Sequence, residues 1–466
     1  MKSRFSSSLR IGAVAPVSSQ ELQHAGLSIS ARTGYLILAS VLAPFFLLIA
    51  AWRTRSSRYR HWLLTAFVTM YGATITIQFD PTGAGADGVR HLLLVHQHYV
   101  GMGFYQFLSD LWSILTFSIA SDPAIRDVYK HVISYLVGGV LGQPQFFFVV
   151  VAAVYGYFFV GSMMEILKHV RWKKHNYLVL GFAVVVFFLV NIEAVNTVRT
   201  WTGMWVLVYA CLRYYDTKKT RYLILMLAPP LIHFGFFLML IPALVVLVLG
   251  NKVKLYAALF LLSSGTTLIN PGDIVDVIDN TERGAAAVQG YYVEEQRSFG
   301  ERREMVAQMQ TRWWNAFRFL GVQKWALNIL IYTLIASGIY FLVMQYRERT
   351  LFSIGLLTLT MSNSMWFLFA LSNRTWTIGC LFVLASFVMA RTNPETAAGF
   401  IRNRPEYYKW GINLSLLLFT PFLLFKLSLL INYVSVFMFV VPFLVWVDPD
   451  MNMSIKYVLQ VLLGVR

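Results

Sequence analysis

The residues of this chain best placed to do chemistry are two arginines and one histidine, each set against a long apolar run. Arg199 and Arg374 both belong to the tetrapeptide RTWT, in NTVRTWTGMW from Asn196 and in SNRTWTIGCL from Ser372. Each copy puts a permanent cation in the first turn of an apolar stretch, with Asn196 or Thr197 placed to cap the first helix and Ser372 or Asn373 the second. A helix N-terminus already carries partial positive charge, so an added cation there is locally unfavourable. Two such termini make good anion sites, because unpaired N–H groups and a forked guanidinium face the same way. The alternative is that each arginine snorkels to lipid phosphates or pairs with an acid, and Glu193 is near Arg199 in sequence. His233 lies in PPLIHFG, where two prolines and a glycine break the helical pattern. Broken backbone at membrane depth is tolerated where it is buried in protein or lines a wet cavity. An imidazole in such a cavity can act as a general base; the plainer reading is a histidine hydrogen-bonded inside a helix turn.

Further polar groups cluster between Phe79 and Gln143. Asp87 and Arg90 follow a glycine-rich turn in GAGADGVRH, and Asp127, Lys130 and His131 fall at helical spacing in RDVYKHV. Taken singly, each group reads as solvated interfacial charge. The spacing of His91, His96 and His98 hints at a metal, but no carboxylate or cysteine pattern completes it, so no metal site is expected. Cys211 and Cys380 both lie in apolar segments, which argues against a disulfide framework or a zinc site. There is no Gly-rich phosphate loop and no serine-hydrolase elbow, so no ATP-driven activity is expected. The candidate site is therefore His233, Arg199 and Arg374 for the chemistry. Asp87, Arg90, Glu193, Asp127 and Lys130 are candidates for holding substrate.

The elements that must position these residues are transmembrane helices. The chain is 57% hydrophobic and only 13% charged over 466 residues, which no soluble class resembles. Apolar spans run Ala31 to Trp52, His61 to Gln78, Pro144 to Leu167, Asn176 to Ala194 and Val198 to Tyr214. They continue as Arg221 to Leu249, Leu255 to Ile269, Trp325 to Gln345, Leu351 to Leu371, Thr375 to Ala390, Gly411 to Leu430 and Ile431 to Val447. The stretch from Arg221 to Leu249 is too long for one untilted crossing and reads as two short helices meeting at PPLIHFG. The sum is an all-α polytopic membrane protein with about thirteen crossings, within roughly eleven to fourteen.

The net charge of +17 belongs to short loops rather than to a nucleic-acid surface. Loops around Arg53 to Arg60, Lys168 to Lys174, Arg213 to Arg221, Lys252 to Lys254, Arg347 to Arg349 and Arg391 to Lys409 carry most of it, and placing them all in the cytoplasm gives one consistent threading. That threading puts Arg199, His233 and Arg374 at the outer edge and the N-terminus outside. It divides the chain into a tail at 1–30, an N-terminal bundle at 31–270 with an outer amphipathic loop at 79–143, an extracytoplasmic helical excursion at 271–324, a C-terminal bundle at 325–448 and a cytoplasmic tail at 449–466. The first 30 residues lack the apolar core of a signal peptide.

The order of these features resembles the EpsG-like branch of bacterial exopolysaccharide and O-antigen (Wzy-type) polymerases. The characteristic part is an arginine followed four residues later by a small residue, a crossing, a basic loop, and a helix ending in Ala-x-x-x-x-His. Here that reads VRTWTGMWVLVYACLRYYDTKKTRYLILMLAPPLIHFG, with Arg199, Gly203 and His233. Arg374 matches a later arginine opening a crossing. The chain departs from the pattern at Gln78, where an arginine is common, at Gly203, where alanine is common, and in the length of the excursion from Pro271 to Lys324.

The resemblance implies an architecture like that of the GT-C membrane glycosyltransferases, in the bacterial inner membrane, with the active site on the extracytoplasmic face. It implies transfer of a growing glycan from undecaprenyl pyrophosphate to the sugar of a fresh lipid-linked repeat unit, with no cofactor beyond that activated lipid. Membrane lipids, a flippase and a chain-length regulator are the implied partners, and nucleic acid is not among them. Two rival readings remain. One is a glycosyltransferase using a polyprenyl-phosphate sugar, with Asp80 or Asp87 as base; the other is a lipid-linked oligosaccharide flippase.

Overall fold

The computed structural model describes residues 31–76, 87–116, 118, 127–170, 177–268, 321–338, 344–366, 368–393, 406–442, 444–447 and 452–464. The expected tail at 1–30, nearly all of the excursion at 271–324, and Gln78 and Asp80 lie outside the described residues. What is described is helical, with a single isolated bridge between Ser435 and Ser454 in place of any sheet.

The chain opens with α1 (Ala31–Ala39), α2 (Phe45–Arg53) and α3 (Ser57–Thr74). The expected single crossing from Ala31 to Trp52 is thus two short helices, because Pro44 interrupts the hydrogen-bond ladder. Ser56 caps α3 by accepting from the Tyr59 N–H. Next come α4 (Asp87–Leu94), α5 (Phe104–Leu115) and α6 (Val128–Ser134). At about 18 Å, α5 is too short to cross a bilayer. It buries Phe107 and Ile114 while exposing Phe104, Tyr105 and Trp112, so this apolar piece covers the bundle.

The bundle continues with α7 (Phe147–Ile166), α8 (Tyr177–Leu189), a 3-10 turn (Ile192–Thr197) and α9 (Thr200–Thr217). The PPLIHFG region breaks as expected into α10 (Thr220–Met226), α11 (Pro229–Ile232), α12 (Phe236–Met239) and α13 (Ile241–Leu249). Then follow α14 (Val253–Ser264), α15 (Gly321–Ala336), α16 (Tyr346–Ser364), α17 (Phe369–Thr392) and α18 (Glu406–Tyr433). The described part of α15 starts at Gly321, within the stretch expected as the excursion. The chain closes with α19 (Leu444–Val447) and α20 (Ile455–Leu462).

Among the described residues four helical stretches are long and apolar enough to cross a membrane: Pro144–Ile166, Tyr177–Thr197, Leu371–Thr392 and Glu406–Tyr433. They occupy different environments. The apolar part of α17 is wholly enclosed by protein, whereas that of α18 is only 17% buried and turns Leu417, Leu424 and Trp410 outward. Helix α17 packs along α16 and α8, and α3 packs along α7. Lipid tails are as apolar as leucine, so such contacts depend on close backbone approach. A Cβ added to Gly379 of α17 would lie 2.8 Å from Leu359 Cγ and 3.1 Å from the Gly355 carbonyl oxygen of α16. Gly379→Leu should accordingly cost about 1–3 kcal/mol by overpacking, read as a lower thermal midpoint of the purified protein in detergent. An unchanged midpoint would mean that this crossing is looser than described.

One expected crossing is not formed. Beyond Tyr433 the chain turns back: the Val436 N–H donates to the Met453 carbonyl, and the Ile455 N–H to that of Val434, both at 3.0 Å. The Asn452 side-chain amide reaches the Thr74 and Ile75 carbonyls at the end of α3. Asn432, Ser435 and Pro442 interrupt the apolar run from Ile431 to Val447, and residues 452–464 of the segment expected as a cytoplasmic tail lie at the same end of the bundle as the C-terminus of α18.

Candidate functional site

The site is built around Asp127, the residue just before α6. Its carboxylate is 1% exposed. One oxygen, Oδ2, is gripped by Nη1 of Arg199. The other, Oδ1, accepts the Phe234 backbone N–H at 2.9 Å and lies 3.5 Å from His233 Nδ1. Three elements far apart in sequence therefore meet on one carboxylate: the entry to α6, the N-terminus of α9 and the break between α11 and α12.

Local structure explains each approach. The turn from Ile192 to Thr197 ends at Val198, a β-branched residue held at φ 51°. That conformation costs on the order of 1–3 kcal/mol and persists only where the surroundings impose it. Here it ends the turn immediately before Arg199. Four residues on, Gly203 faces Phe236, and a Cβ there would fall 2.6 Å from the ring. Glycine thus lets α12 sit directly against α9, which brings the His233 break beside Arg199. Arg199 itself is the residue preceding α9 and no side chain caps that helix, so the expected caps Asn196 and Thr197 are not used. Asn196 instead abuts α4, where a Cβ on Gly88 would come within 1.9 Å of its Oδ1.

Electrostatics follow from this packing. Burial alone would raise the Asp127 pKa, but His233, the Arg199 guanidinium and the Phe234 N–H together hold it well below the ordinary carboxylate range. Burial pushes His233 below its ordinary 6.5; Asp127 opposes that shift, and the charges of Arg199 and Arg374 reinforce it. His91 on α4 is also lowered, first by burial and then by Lys130, Arg199 and Arg90. Both imidazoles are thus neutral at neutral pH. Unfolding returns them to 6.5, so below that value the unfolded chain binds more protons and stability is lost as the pH falls. Thermal midpoints measured between pH 7.5 and 5.5 should decline, and His91→Gln should flatten the decline; a midpoint flat across this window would contradict the shifts.

An Asp–His pair of this kind has a defined use. Asp127 can only accept, so the tautomer that satisfies it carries the proton on Nδ1 and leaves Nε2 as a base. Nδ1 is buried and makes no hydrogen bond at 3.5 Å, and such contacts are commonly long before substrate binds. The exposed 14% of the His233 side chain lies away from Nδ1. Arg199 keeps 27% of its side chain exposed.

The structure thus gathers Arg199, His233 and Asp127, with Lys130, Arg90 and Arg374 close enough for their charges to act on the two imidazoles. Asp127 and Lys130 are buried rather than solvated, because α6 packs beneath α11. Arg374 sits in the second turn of α17 rather than at its start. Ser372, expected as a cap, instead exchanges hydrogen bonds with Ser362 of α16. Glu193 does not partner Arg199; its carboxylate pairs with Lys426 of α18 at 2.5 Å. Asp87 opens α4, and its side chain is outside the described residues.

His131 is a structural histidine. Its Nε2–H donates to the Phe107 carbonyl at 3.1 Å and its Nδ1 accepts the Tyr99 hydroxyl at 2.8 Å. His91 is buried, whereas His96 is exposed. Among the described residues no three His, Cys, Asp or Glu side chains are grouped to hold a metal. Sequence reasoning passes over His91 as a site residue and misses Lys426, although a lysine inside an apolar helix (FLLFKLSLL) is itself a signal that an acid waits nearby. Compared with protein families, with curated proteins and with solved structures, the chain finds no match.

Proposed function

We propose that this protein polymerises undecaprenyl-pyrophosphate-linked repeat units at the outer leaflet of the bacterial inner membrane, in a bundle of about twelve crossings with GT-C-like architecture. The acceptor sugar hydroxyl attacks the anomeric carbon of the growing glycan. The carbon–oxygen bond to pyrophosphate breaks, and the electron pair leaves on the pyrophosphate oxygen. His233 Nε2 takes the hydroxyl proton, Asp127 orients and stabilises the imidazolium, and Arg199 with Arg374 holds the pyrophosphate as charge develops on it. Arg90, Lys130, Asp87 and the aromatic face of α5 serve the glycan and lipid phosphate. Energy comes from the glycosyl–pyrophosphate bond, so no nucleotide or metal is required.

The observation that supports this reading is the convergence of His233, Arg199 and Asp127 on one end of the bundle. A base with its orienting carboxylate, beside a guanidinium, suits an acceptor hydroxyl and a phosphate leaving group. Transport is less well served, since these groups lie at a helix break and helix entrances rather than along a path. Asn363 lies in the last turn of α16 and ties that helix to Ser263 of α14.

The test is the size profile of surface and lipid-linked glycan in cells lacking the protein, complemented with wild type or Arg199→Ala. Loss of the polymer ladder in both the deletion and Arg199→Ala, with single repeat units still exported, is the expected result. Repeat units trapped inside would instead mark a flippase. Truncated repeat units would mark a sugar-adding transferase, in which Asp87→Asn abolishes activity and His233→Ala does not.

A further inference from the structure

The Lys426–Glu193 pair is hard to explain as surface chemistry. Lys426 lies in α18, the helix with the least burial among the long apolar ones, between Leu424 and Leu427, which are 64% and 43% exposed. A cation in that setting is costly unless paired. Its ammonium turns inward to Glu193, whose side chain is 8% exposed, and lies 5.9 Å from the Phe422 ring.

Glu193 belongs to the turn that ends at Val198 and Arg199. The near end of that turn is fixed from two sides. Asn191 Oδ1 accepts the Glu193 N–H at 2.9 Å, and the Asn191 carbonyl accepts the Tyr155 hydroxyl of α7 at 2.6 Å. The Trp205 indole N–H of α9 donates to that same hydroxyl at 3.0 Å. The lateral side of the turn is held by α18 through Lys426. At its far end sits the strained Val198, a conformation that relaxes if the turn is free to move.

We infer that Lys426 and Glu193 are positioning residues: their ion pair clamps the turn Ile192–Thr197 against α18 and so fixes where Arg199 meets Asp127. The inference rests on the proposed function only in treating Arg199 as part of the machinery; the clamp itself is a statement about the turn. A buried pair kept merely to avoid an orphan charge makes a different prediction, since removing both partners together would then leave the turn unmoved.

A cysteine reporter separates the two. Cys211 and Cys380 are both 0% exposed, so an introduced cysteine dominates labelling by a polar thiol reagent. Thr197→Cys reports on the turn. Thr217→Cys, at the other end of α9 and about 27 Å away, serves as control. In purified protein in lipid nanodiscs, Lys426→Met with Glu193→Met should raise labelling at Thr197→Cys about tenfold and leave Thr217→Cys unchanged. Lys426→Arg, and the exchange Lys426→Glu with Glu193→Lys, should restore the parent rate. A parent rate at Thr197→Cys in the doubly neutral protein, or an equal rise at both reporters, overturns the clamp. Polymer assays keep the two ideas apart: a labelling shift in the doubly neutral protein, where the parent with Lys426 and Glu193 intact makes no polymer, leaves the clamp standing and removes the polymerase reading. Loss of polymer in Arg199→Ala with no labelling shift in the doubly neutral protein does the reverse.

Discussion

Asp127→Asn should reduce the rate of polymer formation from purified lipid-linked repeat units by about a thousandfold, while the protein still folds. Asparagine keeps the shape but loses the charge held against Arg199. With its oxygen kept toward the Arg199 guanidinium, its NH2 takes the place of Oδ1 and faces both His233 and the Phe234 N–H, which loses its acceptor. An amide donor facing Nδ1 forces the proton onto Nε2, and a protonated Nε2 cannot take the acceptor hydroxyl's proton. The carboxylate's other contribution, stabilising the imidazolium that forms, is lost as well. Because both effects act through the imidazole, the double variant Asp127→Asn with His233→Ala should be no slower than His233→Ala alone. Additive losses would show that Asp127 acts separately from His233. A rate within threefold of the parent would remove the Asp–His pair from the mechanism.

That Arg199 and His233 lie at the same edge of the bundle is legible in the amino-acid sequence, because the threading joins them through a crossing, a loop and a broken helix; that they meet is not. Gly203 supplies the physical reason for their approach, since only a missing Cβ admits Phe236 so close to α9. The helix break itself is written in Pro229, Pro230 and Gly235. The central role of Asp127 is not legible there. Helical spacing from Asp127 to Lys130 and His131 shows that they share a face but not whether that face meets water or protein, and docking of α6 beneath α11 decides it.

Pairing is the least readable property. Glu193 is six residues from Arg199 in the chain, yet its carboxylate meets Lys426, 233 residues away. Sequence proximity says little where helices return past one another several times. Arg374 differs from expectation in a smaller way. The Ser-Asn pair before it reads as a cap, but α17 begins at Phe369 and Ser372 is spent on a contact with Ser362. The apolar run from Ile431 to Val447 reads as a crossing by composition, but its first three residues end α18, and Pro442 with the returning hydrogen bonds at Val434 and Val436 turns the rest back.

Arg199→Ala should lower kcat by about a hundredfold or more, because a guanidinium aimed at developing phosphate charge acts mainly in the transition state. Arg199→Lys should recover only part of that, since an ammonium keeps the charge but not the fork that can hold Asp127 and a phosphate oxygen together. Arg374 is distinguished from Arg199 by pH. Its charge opposes protonation of His233, so Arg374→Ala should move the acidic limb of the kcat/KM profile upward from its position below 6.5. The sign is fixed: less positive charge nearby makes the imidazolium easier to form, and the base is then lost at higher pH. Arg374→Lys should leave the limb near the wild-type position, and high salt should shrink the difference between them by screening. A limb that stays in place in Arg374→Ala would put that arginine out of reach of His233, leaving Arg199 alone to meet the leaving group.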